Sequence, residues 1–146
     1  MRKLMLGLFT ILAIGALAQP AGAKPGAYVG FCTNPDDFMI GLKWMKPLEN
    51  ENLWLAPSAE VGFGDATMIA GNLDLHYRFK GKTKFYAGGG VTLNWFDFDG
   101  GSDTEFGGSV LGGIMFNSKS GKLPYFETKL GLGDVPDWKF MVGLNF

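Results

Sequence analysis

Apolar and polar residues alternate along most of this chain, and the clearest stretch is residues 69–79, which read IAGNLDLHYRF. Its odd positions are apolar or small, whereas four even positions are polar or charged. Side chains of a strand point to opposite faces with period 2, so this stretch has one apolar and one polar face. Eight alternating stretches predict strands over residues 26–33, 38–46, 53–64, 68–80, 83–98, 105–117, 123–133 and 138–146.

Residues that favour turns separate the eight stretches. Asn34-Pro35-Asp36-Asp37 lies between the first two, and Gly133-Asp134-Val135-Pro136-Asp137 lies between the last two. Because all connections are short, consecutive strands are expected to pair as antiparallel hairpins. Most stretches have the roughly 9–11 residues that a tilted strand needs to cross a bilayer. The sequence therefore predicts an all-β fold, an eight-stranded antiparallel up-and-down transmembrane β-barrel.

The chain begins with features of an export signal. Arg2 and Lys3 precede an apolar run over residues 4–17, and Ala21-Gly22-Ala23 supplies the small residues of a cleavage site. The run is shorter than the roughly 20 residues of a membrane-spanning helix. We therefore predict a cleaved signal peptide over residues 1–23 and one barrel domain over residues 24–146.

The composition of the predicted barrel domain excludes several classes of protein. Without Arg2 and Lys3, the domain has 11 Lys and Arg against 14 Asp and Glu, a net charge of −3. The sequence does not contain a basic patch that would indicate nucleic-acid binding. Cys32 is the one cysteine in the sequence, so an intramolecular disulfide is impossible. A closed barrel is stable without one, because its backbone polar groups are paired around the ring.

Alternation alone does not determine which face of the barrel lies inside, because a soluble lipocalin-like barrel alternates in the opposite sense. Two observations favour a membrane barrel. The polar face is rich in Gly, Ser and Asn with few charges, as a narrow lumen requires. The aromatic residues of the apolar face lie near strand ends, as in the two aromatic girdles of membrane barrels. They are Phe38 and Trp44, Tyr77 and Phe79, Phe85 and Trp95, Phe106 and Phe116, and Trp138 and Phe146.

The predicted leader, the eight amphipathic strands and the ending Phe140-Met141-Val142-Gly143-Leu144-Asn145-Phe146 resemble the small outer-membrane β-barrel proteins of Gram-negative bacteria, similar to OmpA- and OmpX-type barrels. The resemblance implies location in the outer membrane and contact with outer-membrane lipid and lipopolysaccharide. It also implies recognition by the barrel-assembly machinery. In that family the C-terminal strand carries the assembly signal, which the resemblance assigns here to Phe140, Val142, Leu144 and Phe146.

Charged residues on the predicted luminal face suggest how the barrel is filled. A narrow lumen holds charges only if they pair and hydrogen-bond. We therefore predict a structural ion-pair network and leave Lys139 outside it, because Lys139 lies near a strand end. The alternative is a gated ion path or an internal proton site. The predicted members are Lys43, Glu60, Asp74, His76, Arg78, Glu127 and Lys129.

His76, the one histidine in the sequence, is predicted to be a packed luminal residue, since no nearby Ser partners it as a catalytic base would require. The turns at the end of the barrel that holds the termini carry mostly lysines, together with Glu49 and Glu51, whereas the turns at the opposite end carry acidic residues. Whether that acidic rim binds Ca²⁺ or Mg²⁺ stays open, and no metal site is assigned.

The expected function is that of a non-enzymatic, small integral outer-membrane barrel with a lumen filled by its own polar side chains. It would serve envelope structure, or act as an anchor or subunit for other envelope proteins, and no cofactor is expected. Two alternatives are an outer-membrane lipid-modifying enzyme and a soluble, lipocalin-like periplasmic ligand carrier.

Overall fold

The computed structural model describes residues 22–64, 67–98 and 101–146. In these ranges the chain forms eight antiparallel strands, and the pairing of β1 with β8 closes them into a barrel, as predicted. The remaining pairs join strands that are consecutive in sequence. The strands are β1 (Lys24–Thr33), β2 (Asp37–Pro47), β3 (Leu53–Gly64), β4 (Thr67–Arg78), β5 (Lys84–Phe98), β6 (Gly101–Met115), β7 (Leu123–Gly133) and β8 (Trp138–Asn145).

The main difference from the predicted boundaries is at the β5–β6 hairpin. Gly101 pairs with Phe98, so β6 begins four residues before the predicted start at residue 105. Gly, Ser and Asp are poor strand formers and favour turns, but here the register of the hairpin extends the ladder through them. Elsewhere the predicted ends differ from the observed ones by two residues or fewer.

Three parts of the prediction fall wholly or partly outside the described residues. Apart from Gly22 and Ala23, the predicted signal peptide lies there, as do Asp65 and Asp99 of the acidic turns. In the described part of the chain, no helix is long and apolar enough to cross a membrane.

The apolar face of the strands points outward and the polar face points inward. Val91 of β5 and Val142 of β8 are 45% and 57% exposed, whereas the neighbouring Thr92 and Met141 are buried. Trp44 also points outward by its register, although it is 7% exposed. A soluble barrel would bury its apolar face, so this arrangement suits a lipid surround.

Exposed aromatic side chains form two groups at the two ends of the barrel. We call the end that holds Pro25 and Phe146 the termini end, and the opposite one the far end. An apolar wall between two aromatic groups is typical of transmembrane barrels. The group at the far end contains Phe38, Trp95, Phe106 and Trp138, and the group at the termini end contains Tyr77, Phe79, Phe85, Phe116 and Phe146.

Candidate functional site

The centre of the lumen holds a carboxylate that is fully shielded from solvent, Glu127 of β7. The ammonium group of Lys43 donates to both of its oxygens, at 2.7 and 2.8 Å. The hydroxyl of Tyr86 donates to Oε2 at 2.8 Å. The His76 ring stacks on the Tyr86 ring with centroids 4.8 Å apart, and its Nε2 lies 3.9 Å from Glu127 Oε2. The carboxylate thus lies in one buried cluster that joins four strands, β2, β4, β5 and β7.

Two further buried ion pairs cross the lumen. The Lys129 ammonium donates to Asp74 Oδ2 at 2.5 Å, joining β7 to β4. The Lys139 ammonium donates to Glu60 Oε1, joining β8 to β3. Glu60 Oε2 also accepts a hydrogen bond from the Tyr28 hydroxyl at 2.6 Å. Each lysine therefore meets a carboxylate, which offsets the cost of removing both charges from water.

Six of the seven predicted network residues are buried in the lumen, Arg78 is partly buried on the inward face at the termini end, and the structure adds one residue that the sequence left out. Lys139 pairs with Cys32 in the backbone ladder near the far end, but its long side chain reaches inward to Glu60. Arg78, at the end of β4, instead stacks its guanidinium over Trp54, 3.4 Å from the ring centroid. The position of a residue near a strand end therefore did not predict whether its charge lies in the lumen. Long side chains carry their charged groups several bonds away from their own Cα atoms.

Tyrosine rings fill the space beside luminal glycines. Each ring lies over a glycine on the neighbouring strand, where a Cβ atom would clash with it. Aromatic rings that cover glycines in this way fix the register of a pair of strands. Alternation along β5 and β7 places Tyr86 and Tyr125 on the polar face, but it did not indicate that their rings cover glycines of the neighbouring strands. The pairs are Tyr28 with Gly41, Tyr86 with Gly113, and Tyr125 with Gly143.

An apolar layer lies between the ion pairs and the far end of the barrel. Met39, Met68 and Phe96 lie at one level of neighbouring strands, and Met141 joins them across β1. All four side chains are at most 2% exposed. Methionine adapts its shape to irregular gaps, so this layer closes the lumen above the charges.

The β7–β8 connection also enters the far end of the lumen. Val135 and Pro136 are buried, and Val135 packs against Gly107 and Gly131. The space below them, bordered by Lys129, measures about 10 Å³, room for one water molecule at most. A gap among Lys43, Tyr86 and other residues nearer the termini end has no room for a water-sized sphere. At these two places the lumen is filled by side chains rather than open.

A cavity of about 300 Å³ lies at the far end, and Val135 is among the residues that line it. Glu105, Asp134 and Asp137 line it, together with Asn34, whose amide donates to Asp137 Oδ2 at 3.4 Å. Across the described ranges, no group of three or more His, Cys, Asp or Glu residues is arranged to hold a metal ion.

The four residues of the predicted assembly signal follow the outer face of β8. Phe140, Val142 and Phe146 are exposed, and Leu144 is half-buried. The backbone N–H of Phe146 donates to the Pro25 carbonyl at 2.8 Å, which ties the end of the chain to β1. Their role in assembly stays a prediction.

No protein-family model matches the chain, and no curated protein sequence matches it significantly. Its fold, in contrast, is similar to solved structures of eight-stranded outer-membrane β-barrels. The N-terminal β-barrel domain of Pseudomonas aeruginosa OprF aligns with a TM-score of 0.67 and 15% identity, covering 85% of this chain and 96% of that one.

Two further structures align at similar coverage. Neisserial surface protein A gives a TM-score of 0.60 at 14% identity, covering 84% of this chain and 94% of that one. Ail, the attachment invasion locus protein of Yersinia pestis, gives 0.50 at 14% identity, covering 84% and 93%. These alignments confirm the predicted resemblance at the level of the fold: the chain has the eight-stranded barrel fold of small outer-membrane proteins.

Proposed function

We propose that this protein is a non-enzymatic integral barrel of the outer membrane whose closed lumen serves envelope structure, or anchors other envelope components. The wall supports membrane insertion, because its outward side chains are apolar and exposed between two aromatic groups. In water such a wall would form an apolar surface far larger than soluble monomers tolerate. The similarity to outer-membrane barrels supports the choice of membrane.

The observation that carries the proposal is the filled lumen. Three ion pairs, the tyrosine rings and the methionine layer occupy the space in which a channel or a ligand pocket would lie. An eight-stranded barrel is only wide enough for its own side chains. The lumen thus acts as a core, and function depends on the surfaces that the barrel presents at its two ends.

The two alternative functions fit these contacts poorly. A lipid-modifying enzyme needs a base that reaches lipid, whereas the ring of His76 is fully buried and stacked on Tyr86. A soluble carrier needs a pocket inside and a polar wall outside, and this barrel has the reverse arrangement.

Fractionation of cells that produce the protein tests the proposed location. We expect the protein in the outer-membrane fraction, and we expect the unboiled barrel to migrate differently from the boiled protein in SDS gels, since a closed ladder resists detergent. Recovery as a freely soluble periplasmic protein would refute membrane insertion.

Two measurements test the closed, non-enzymatic barrel. In planar bilayers the purified protein should give no stable conductance of porin size, with a known porin as the positive control. Mass spectra of lipid A from cells with and without the protein should be identical. Stable porin-sized channels would contradict the filled lumen, and a modified lipid A that requires the protein would establish an enzymatic role.

A further inference from the structure

Five lysines lie in or beside two neighbouring turns at the termini end of the barrel. Lys80 and Lys82 lie in the β4–β5 turn, Lys84 is the first residue of β5, and Lys119 and Lys122 lie in the β6–β7 turn. Residues 79–85 and 116–124 contain no Asp or Glu. We call these five lysines the basic arc.

The barrel places the two turns of the basic arc side by side. β5 pairs with β6, and the pairing of Lys84 with Met115 brings the start of one strand next to the end of the other. Four of the five lysines are exposed and Lys84 is half-buried. Five positive charges therefore share one sector of the rim.

Aromatic side chains fix the depth of the basic arc relative to a bilayer. Phe79, Phe85 and Phe116 are each at least 50% exposed on the outer wall and lie within three residues of a lysine of the arc. The Lys122 ammonium lies 5.5 Å from the centroid of the Phe146 ring. Outward aromatics occupy the boundary between acyl chains and headgroups, so the adjacent ammonium groups lie at headgroup level.

The far end has the opposite charge. Asp97, Asp103, Glu105, Asp134 and Asp137 lie in or beside its turns. In residues 97, 98, 101–105 and 133–137 there is no lysine or arginine. The basic arc and these acidic residues therefore lie at opposite ends of the axis that crosses the bilayer.

We propose that the basic arc binds the headgroups of anionic phospholipids in the leaflet that surrounds the termini end. This inference rests on the proposed membrane insertion and adds the lipid class and the sector of the rim. Lysines near an anionic surface are attracted to it, by about a fivefold gain in association for each lysine. A peptidoglycan chain is a less suitable partner, because it lies outside the membrane, whereas the arc lies beside lipid-facing aromatics.

Lipid selectivity of the reconstituted barrel tests the proposal. Spin-labelled phosphatidylglycerol and phosphatidylcholine report how strongly each lipid is retained at the protein surface. For the natural protein we expect the barrel surface as a whole to retain phosphatidylglycerol at least twofold more strongly than phosphatidylcholine. High salt should reduce this preference, because it screens the charges. Equal retention of the two lipids would overturn the proposal.

Matched triple variants locate the effect. Lys80→Gln/Lys82→Gln/Lys119→Gln removes three of the five lysines and should strongly reduce the selectivity, and the corresponding triple Lys→Arg variant should retain it. Asp97→Asn/Asp103→Asn/Glu105→Gln at the far end should leave it unchanged. An unchanged preference in the Gln variant would overturn the proposal.

Two controls separate the possible failures. Each variant is first tested for the heat-modifiable band in SDS gels, so that loss of the barrel itself is distinguished from loss of lipid selectivity. Cosedimentation with purified peptidoglycan is measured in parallel. If the Gln variant loses peptidoglycan binding while its lipid selectivity persists, the arc binds the cell-wall polymer and the lipid proposal is wrong.

Discussion

Neutralising Glu127 should destabilise the barrel strongly, although the substitution Glu127→Gln changes the shape of the side chain little. The Glu127 carboxylate is fully buried and accepts two hydrogen bonds from Lys43 and one from Tyr86. At 2.7 Å and an effective dielectric constant of about 20, the attraction to Lys43 is about 6 kcal/mol before the cost of desolvation. Removing one partner of a buried pair typically costs about 3–5 kcal/mol, because the other charge stays buried without compensation.

Reversible urea unfolding of the barrel in lipid vesicles measures this effect. We expect Glu127→Gln to lower the free energy of unfolding by about 3–5 kcal/mol. The double variant Lys43→Met/Glu127→Gln removes both charges and should recover most of the loss. Glu49→Gln, in an exposed turn, is the matched control and should change the stability by at most about 0.5 kcal/mol. A loss below about 1 kcal/mol for Glu127→Gln would refute a dry, paired lumen.

Two further predictions concern packing and assembly. Gly41→Ala should lower the free energy of unfolding by about 1–3 kcal/mol, because the new methyl group would clash with the Tyr28 ring. Gly71→Ala meets no atom within 4 Å and should be nearly neutral, so equal losses would contradict this packing. Removal of Phe146 should slow insertion by the reconstituted assembly machinery more than Phe116→Ala does, although both rings are exposed. Equal insertion rates would contradict an assembly signal at the C-terminus.

The strands were predictable because their signal is local. Alternation along β4 or β8 identifies a strand and its two faces from 12 residues or fewer. The start of β6 was missed for the same reason: Gly101 and Ser102 resemble a turn locally and become strand only by pairing with β5. Register between strands, which no single stretch contains, determines such boundaries.

The sequence did not indicate which luminal charges form ion pairs with each other. Alternation along each strand indicated that Glu60 and Glu127 face inward. The lysines that pair with them, Lys139 and Lys43, are 79 and 84 residues away in the sequence. Which charges meet depends on the stagger of all eight strands and on the reach of long side chains. Lys139 and Arg78 show the consequence, since one joins the lumen from a strand end and the other stacks on Trp54 at the rim.

The apolar part of the lumen was missed for a chemical reason. The inward face contains methionine and tyrosine as well as polar residues, and Met39 and Met141 are examples at the far end. The alternation therefore does not separate a purely apolar face from a purely polar one. In an eight-stranded barrel the lumen is a small protein core, so it holds apolar and aromatic residues beside the charges. A pattern that labels the inward face as polar therefore underestimates how completely it is filled.

Adjacent substitutions on β4 test most directly which face of the barrel meets lipid. Leu73 is 47% exposed on the wall, whereas Asn72 is 7% exposed and donates to Ser58 Oγ in the lumen. Arginine on the lipid face near the midplane costs about 2–4 kcal/mol in such barrels. Asn72→Asp keeps the shape of the side chain and adds a charge beside a small cavity that Lys129 and Lys139 also line.

The measurement is the free energy of unfolding of both variants in lipid vesicles. We expect Leu73→Arg to lose about 2–4 kcal/mol and Asn72→Asp to lose clearly less. Because the two positions are neighbours in one strand, local strand propensity does not account for a large difference. If Leu73→Arg were nearly neutral, the apolar face would not meet lipid, and the membrane-embedded barrel with a filled polar lumen would be wrong.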